Sequence, residues 1–112
     1  MSLKVELHEL PAAVGQVAPT VFLLTTNADL SPHAAHVRVD FADGLFTLSA
    51  GRRSCANAGD RPVVTLLWPA HDPETMNLLV DGVAEVISAA DGVVTVSPTS
   101  SMWHRQPEQS PA

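Results

Sequence analysis

Two adjacent arginines, Arg52 and Arg53, follow directly on a predicted strand and precede a predicted helix. Together with Arg61 they are three of the six Lys and Arg residues in a chain whose net charge is -6. Gly51 allows the backbone to turn at the strand end, and Ser54 is predicted to be the N-cap of the helix. Guanidinium groups, a hydroxyl and free amides at a helix N-terminus are the donors that bind a phosphate group. The segment is therefore a candidate phosphate site.

The same arginine pair has a simpler interpretation. In a solvated loop, Arg52 and Arg53 would pair with Asp60 or with other carboxylates on the surface. The residues of the segment alone leave both interpretations open, and the surrounding pattern has to decide between them.

The length and composition of the chain limit the classes of protein to which it can belong. Its 112 residues are enough for one domain, 1–112, with a single core. Hydrophobic residues make up 46% of the sequence, which favours an oligomer that buries apolar surface at an interface. The acidic balance and the six basic residues argue against nucleic acid as a partner. The single cysteine, Cys55, excludes an intrachain disulfide and a cysteine-rich zinc site.

The sequence contains no signal for export or for a membrane. No apolar stretch approaches the roughly 18 residues of a transmembrane helix. The N-terminal residues have no continuous apolar run after Lys4 and no cleavage signal. We therefore expect a soluble, cytoplasmic protein that binds no membrane.

Six strands are predicted from alternating and β-branched runs, at 20–26, 33–41, 45–50, 63–68, 76–88 and 93–97. Asp43-Gly44 and Asp91-Gly92 are typical of hairpin turns, and Gly82 is expected at a β-bulge. Short helices are predicted at 11–16 and 54–59. This order favours a small antiparallel β-barrel over a sandwich, with a core over about 20–98 and a flexible tail at 106–112.

The run from Val63 to Trp68 is apolar at every position except Thr65. Such a run predicts a strand that is buried on both faces or that lies at an interface. We therefore expect Leu66, Leu67 and Trp68 to lose exposure across a dimer interface.

The histidines and the known catalytic motifs give weaker indications of a functional site. His33 and His36 are three residues apart on a strand and so lie on opposite faces, where they cannot hold one metal ion. His71 is expected in an exposed loop, and His104 in a tail that packs on the dimer. The sequence contains no nucleophile elbow, phosphate loop or dinucleotide motif.

Taken in order, six pieces of the sequence resemble the FMN-binding split β-barrel family, specifically the small pyridoxamine 5'-phosphate oxidase-like proteins. The resemblance covers about residues 20–105. Its pieces are Phe22-Leu23-Leu24-Thr25-Thr26, Ser31-Pro32-His33, Leu48-Ser49-Ala50-Gly51-Arg52-Arg53-Ser54, Asn57, Val64-Thr65-Leu66-Leu67-Trp68 and Leu79-Val80-Asp81-Gly82-Val83-Ala84-Glu85-Val86. The resemblance implies an all-β fold, a six-stranded antiparallel split β-barrel with one or two short helices. It also implies FMN, or a deazaflavin or haem, bound in a groove at the interface of a homodimer.

The resemblance further implies which residues would hold the cofactor. The positions that bind the flavin phosphate in relatives correspond here to Arg52, Arg53, Ser54 and Asn57. The strands that lie along the flavin ring and the ribityl chain in relatives correspond to Arg38, Val39, Thr47, Leu48 and Ser49. Trp68 would approach the cofactor from the other subunit.

A flavin-dependent oxidoreductase of unknown small-molecule substrate is the function that the resemblance implies, because the cofactor supplies the chemistry in such a site. A non-catalytic carrier or redox sensor that binds a flavin, a deazaflavin or haem is the alternative, as is a dimeric interaction module without a cofactor. The full C-terminal Arg and His set of the true pyridoxamine phosphate oxidases is missing, which argues against vitamin B6 oxidation. Met102-Trp103-His104-Arg105 matches no substrate motif.

Overall fold

A computed structural model of the chain describes residues 2–107. These residues form two short helices, α1 (Leu10–Val14) and α2 (Arg52–Asp60), and a 3-10 turn over Leu7–Glu9. They also form seven strands: β1 (Ser2–Val5), β2 (Thr20–Thr26), β3 (Pro32–Ala42), β4 (Leu45–Ser49), β5 (Val63–Trp68), β6 (Met76–Ser88) and β7 (Val93–Arg105).

Six of the strands close into an antiparallel barrel in the order β7, β4, β3, β2, β5, β6, with β6 pairing back to β7. The seventh strand, β1, lies outside this ring and pairs with β7 from Ser101 to His104. The predicted fold class is confirmed: the structure is mainly β, with a closed six-stranded antiparallel barrel. The sequence did not predict β1, whose residues before Val5 are all exposed.

The core lies inside the barrel because side chains alternate between the two faces of each strand. On β2 the inward residues Val21 and Leu23 are fully buried. Phe46 and Trp68 are the largest fully buried side chains, with ring centroids 5.7 Å apart. The barrel therefore encloses a packed interior rather than a channel.

β7 is longer than predicted. The sequence predicted a strand that ends at Ser97 and a tail from Pro98, but β7 continues to Arg105. Pro98 lies opposite Gly82 at the register shift between Asp81 and Gly82, and a bulge is a place where a strand tolerates proline. The predicted bulge at Gly82 is confirmed. Most of the predicted flexible tail, residues 108–112, lies outside the described residues.

Both helices differ from their predicted bounds. α1 begins before Pro11 and ends at Val14 rather than at Gln16. α2 begins at Arg52, and its N-cap is Gly51 in an extended conformation, so the predicted N-cap role of Ser54 is wrong. No helix within residues 2–107 is long and apolar enough to cross a membrane.

The strand β5 is not buried on both faces. Leu66 is 0% exposed and Trp68 is 2% exposed, whereas Val63 on the opposite face is 73% exposed. Leu66 and Trp68 therefore have no exposure left to lose at an interface, and that part of the expectation is wrong. Leu67, on the outer face, is the one residue of the predicted three that is partly exposed.

The bulge at Gly82 leads to a prediction about stability. A Cβ at this position would lie 2.6 Å from the carbonyl oxygen of Ser97 and 2.6 Å from Cγ1 of Val96. We expect Gly82→Ala to lower the free energy of unfolding by about 1–3 kcal/mol, the usual cost of overpacking. Urea unfolding followed by circular dichroism measures the change.

Gly59→Ala is the matched control, because a Cβ there would meet Val86 Cγ2 at an ordinary 3.7 Å. Gly59 lies in α2, where alanine is favoured over glycine by up to about 1 kcal/mol. Equal stabilities of the two variants would contradict the tight approach of β6 and β7 at the bulge.

Candidate functional site

Arg52 and Arg53 line a shallow cavity of about 690 Å³ between the first turn of α2 and the turn that joins β2 to β3. We call this cavity the arginine pocket; the turn contributes Asn27, Asp29 and Ser31 to it. Both arginines are exposed, and neither forms an ion pair with a carboxylate in the part of the chain that the structure describes. The two guanidinium groups are therefore available to a ligand.

The N-terminus of α2 adds backbone donors to the arginine pocket. The first amide with a partner inside the helix is that of Cys55, which donates to the carbonyl of Gly51 at 3.0 Å. The amides of Arg52, Arg53 and Ser54 precede it and have no carbonyl one turn earlier in the helix. The positive end of the helix dipole lies at the same place. Ser54 contributes only through its backbone, because its side chain belongs to a residue that is 1% exposed.

Asn57 and Arg61 anchor α2 to the end of β2. The Asn57 side-chain amide donates to Thr25 Oγ1 at 3.1 Å and to Asn27 Oδ1 at 2.8 Å. Arg61 Nε donates to the carbonyl of Thr26 at 2.7 Å, and its Nη2 donates to Asn57 Oδ1 at 3.3 Å. Because both amide hydrogens of Asn57 are used in this way, its side chain positions the helix and has no free donor for a phosphate.

The carboxylate of Asp29 lies in the arginine pocket and is held in place by Ser31. The backbone amide and the hydroxyl of Ser31 donate to Asp29 Oδ1 at 3.0 and 2.5 Å. The Ser31 hydroxyl is the largest cause that lowers the pKa of Asp29, and the charge of Arg53 lowers it further. Asp29 is therefore anionic at neutral pH and offsets part of the positive charge of the pocket.

The strand residues predicted to lie along a cofactor divide between the two faces of the barrel. Arg38, Thr47 and Ser49 are on the outer face and exposed, and Arg38 lies opposite Ser49 in the β3–β4 pair. Val39 and Leu48 point into the core and are 8% and 1% exposed. Only the backbone atoms of Val39 and Leu48 could reach a ligand on the outer face.

A second cavity, of about 670 Å³, lies at the other end of β2. Phe22 is the residue of β2 in this cavity that lies nearest to the arginine pocket, which Asn27 lines, so roughly 17 Å of strand separates the two at the usual rise per residue. We call it the aromatic groove; its walls include Phe22, His36, Trp68, His71, Met76 and Trp103. Sequence reasoning missed all of these residues except Trp68, although the facing positions of Phe22 and His36 on adjacent strands were a usable signal.

Trp68 lies deeper than predicted. It is 2% exposed, and its indole N–H donates to the carbonyl of Ala18 at 3.1 Å. Its ring forms part of the wall of the aromatic groove, and its polar atom is already used.

The C-terminal segment holds one wall of the aromatic groove. Gln106 Nε2 donates to the carbonyls of Asp72 and Thr75 at 2.6 and 3.2 Å, both in the loop between β5 and β6. The same loop is held by Asn77 Oδ1, which accepts from the amide of Ala70 at 2.8 Å. Gln106, predicted to begin a flexible tail, therefore has contacts with this loop.

Two curated relatives show the family of the chain. An uncharacterized protein from Mycobacterium bovis and one from Mycobacterium tuberculosis are each 32% identical over an alignment of 116 positions, gaps included, which covers 91% of this chain and 81% of the relative. The chain belongs to the same family as these two proteins. No protein-family model matches the chain.

Solved structures with low sequence identity share the fold. A Listeria innocua protein provisionally assigned as a pyridoxamine 5'-phosphate oxidase matches with a TM-score of 0.70 and 14% identity over 87% of this chain and 96% of that chain. An F420 reductase matches with a TM-score of 0.61 and 17% identity, over 73% of this chain and 87% of that chain. HutZ, the haem storage protein of Vibrio cholerae, matches with a TM-score of 0.58 and 16% identity, over 95% of this chain and 93% of that chain. The chain therefore shares the split-barrel fold of these pyridoxamine 5'-phosphate oxidase-like proteins, the fold that the resemblance predicted.

The contacts of Gln106 lead to a prediction about the C-terminal segment. We expect Gln106→Ala to lower the free energy of unfolding by about 1 kcal/mol, because two carbonyls of the β5–β6 loop lose their donor. Deletion of residues 107–112 is the control and should leave the melting temperature nearly unchanged, because Pro, Gln and Ser offer little apolar area. Thermal unfolding of both variants measures the difference. A large loss from the deletion, or none from Gln106→Ala, would contradict the proposed role of Gln106.

Proposed function

We propose that the protein binds FMN as a homodimer, with the flavin phosphate in the arginine pocket, and acts as a flavin-dependent oxidoreductase on a small molecule. The observation that carries this proposal is the pair of exposed arginines, Arg52 and Arg53, at the free N-terminus of α2 in a chain of this fold. A phosphate there would receive guanidinium and backbone donors together.

The outer face of the barrel supports a cofactor that extends from the arginine pocket along β3 and β4. Ser49 ends β4, and Gly51 directly precedes the arginines, so the polar outer residues of β3 and β4 lead towards the arginine pocket. Arg38, Ser49 and Thr47 are exposed along this path. They would supply donors to the ribityl chain and to the polar edge of the ring.

A bound flavin supplies hydride or electron transfer, while the residues of the chain bind and orient it. Arg52 and Arg53 would fix the phosphate end. Asn57 and Arg61 would act through α2, because they hold its first turn against β2. No charged side chain of the described residues has to act as an acid or a base for this role.

Two similarities favour alternative cofactors for the same site. One structural neighbour is an F420 reductase and another is a haem storage protein. A deazaflavin or haem, bound by a carrier or a redox sensor, is therefore the second candidate, and a dimeric interaction module without a cofactor is the third. Reduction of the bound flavin by NADH or NADPH and its reoxidation by a specific acceptor would favour the enzyme.

An apolar strip on the outer face of the barrel supports the homodimer. Phe22, Leu67, Leu79 and Met102 are direct cross-strand neighbours on β2, β5, β6 and β7. All four are at least partly exposed in the single chain. A second copy of the chain would bury this strip, as a symmetric interface requires.

The apolar strip leads to a prediction about assembly. We expect light scattering to give twice the chain mass of 11.8 kDa, and Leu67→Glu to give a single chain, because a carboxylate in an apolar interface loses its hydration. Leu30→Glu is the matched control, because Leu30 is 77% exposed at a turn outside the strip. A wild-type protein with the mass of one chain at micromolar concentration would rule out the homodimer.

The arginine pocket leads to a prediction about affinity. A charge-assisted hydrogen bond contributes about 1.5–3 kcal/mol, so Arg52→Ala or Arg53→Ala should weaken FMN binding by roughly tenfold to a hundredfold. Isothermal titration calorimetry of the apoprotein measures this change. Lys4→Ala, which removes a cation elsewhere on the surface, should have little effect.

Riboflavin lacks the phosphate and provides the ligand control. It should bind the wild-type protein much more weakly than FMN, and neither arginine substitution should change its affinity much. Equal affinities for FMN and riboflavin, or an unchanged FMN affinity in the double variant, would show that the phosphate does not bind in the arginine pocket.

A further inference from the structure

We infer that Asp29 makes the arginine pocket selective for a phosphate group that has a hydroxyl hydrogen beside it, and that an anion without such a hydrogen, such as sulfate, binds there more weakly. The hydroxyl belongs either to the phosphate itself or to the carbon chain that carries it. This inference rests on the arginine pocket as the phosphate site of the proposed function, but it does not require that the ligand be a flavin.

The charged side chains of the arginine pocket have hydrogen-bonding capacity left for a ligand. Arg52 and Arg53 supply donors, and Asp29 supplies an acceptor. Both bonds from Ser31 go to Asp29 Oδ1, and within residues 2–107 no group donates to Asp29 Oδ2. The pocket therefore offers a ligand one anionic acceptor beside two cations.

The other polar side chains that line the pocket are paired with one another. The Asn27 side-chain amide donates to Ser31 Oγ at 3.1 Å, and Asn27 Oδ1 accepts from Asn57 at 2.8 Å. The Ser31 hydroxyl in turn donates to Asp29 Oδ1. These bonds tie the turn between β2 and β3 to α2, so the Asp29 carboxylate is fixed in the pocket rather than free to turn towards solvent.

The charge of Asp29 decides which anions fit. Hydrogen bonds from Ser31, and to a smaller extent the charge of Arg53, lower the pKa of its carboxyl, so the group is ionised at neutral pH. An anion held by both arginines shares the pocket with this carboxylate, and two anionic oxygens repel each other. A hydroxyl hydrogen between the two oxygens replaces this repulsion by a charge-assisted hydrogen bond.

Two pairs of anions isolate the effect of the hydroxyl hydrogen. The second pKa of a phosphate monoester is about 6, so such esters are dianions at about pH 8. Inorganic phosphate keeps one hydroxyl under these conditions, whereas sulfate has the same shape and no hydroxyl. In the second pair, α-glycerol phosphate has hydroxyls on its carbon chain and propyl phosphate has none. The first pair tests the hydroxyl of the phosphate, and the second pair tests that of the chain.

NMR titrations that follow the backbone amides of Arg52, Arg53 and Ser54 measure each affinity and show whether the anion lies in the arginine pocket. We expect the member with the hydroxyl to bind about tenfold more tightly in at least one pair, the lower end of the usual contribution of a hydrogen bond to a charged group. The pair that shows the preference identifies the hydroxyl that Asp29 accepts from.

Asp29→Asn is the test variant, because it keeps an oxygen for the two bonds from Ser31 and replaces the free acceptor by an NH₂ donor. We expect this variant to bind sulfate more tightly and to lose the preference. Asp60→Asn is the matched control, because it removes the same charge at the other end of α2, outside the arginine pocket. It should leave the preference unchanged.

Equal affinities within both pairs would overturn the inference, as would a preference that survives in Asp29→Asn or that is also lost in Asp60→Asn. If none of the anions shifts the amides of the pocket, the inference and the phosphate site of the proposed function are both wrong. Binding of the anions without binding of FMN would overturn the proposed function alone. Binding of FMN without a preference in either pair would overturn the inference alone.

Discussion

The pairing of β7 with three other strands is the constraint on which the rest of the structure depends. The first half of β7 lies between β6 and β4 and thereby closes the barrel, while the second half lies between β6 and β1. Closure removes the free edges that an open sheet would leave. The same strand carries Trp103 into the aromatic groove and brings Gln106 to the β5–β6 loop. The closing strand of the barrel thus also builds one wall of the aromatic groove.

A second constraint fixes the arginine pocket. Three of the cations of the chain lie within ten positions, but they have different tasks. Arg61 donates to the end of β2 and to Asn57 and so ties α2 to the barrel, whereas Arg52 and Arg53 are exposed. The structural arginine therefore positions the two that are free to bind a ligand, and Asp29 limits the positive charge that they present.

The sequence predicted the strands of the barrel well because their local signals agree with their environment. β6 has its predicted bounds, and its register shift falls at the predicted Gly82. β7 was predicted too short because a proline usually ends a strand, and the sequence was therefore read as a tail from Pro98. In the structure Pro98 lies opposite Gly82 at a bulge, where a strand tolerates proline, so β7 continues past it. β1 has one buried residue and no periodicity, so its pairing with β7 could not be predicted from its own residues.

The candidate site was predicted in part. The arginine pair was predicted to bind a phosphate because a basic pair in an acidic chain is unusual, and this role stays a prediction. Asn57 was predicted beside it, and the structure shows that its side-chain amide donates to Thr25 and Asn27. Val39 and Leu48 followed from the resemblance, although strand alternation with Arg38 and Thr47 already indicated that they face the core. The aromatic groove was missed because its walls come from segments far apart in the chain.

Native mass spectrometry of the protein titrated with FMN tests the central claim most directly, because one spectrum reports both the subunit number and the cofactor stoichiometry. We expect a species of twice the 11.8 kDa chain mass that gains two FMN masses, and no comparable gain with riboflavin. A single chain that gains no FMN mass, or a dimer that binds riboflavin as well as FMN, would contradict the assignment of the arginine pocket to a flavin phosphate.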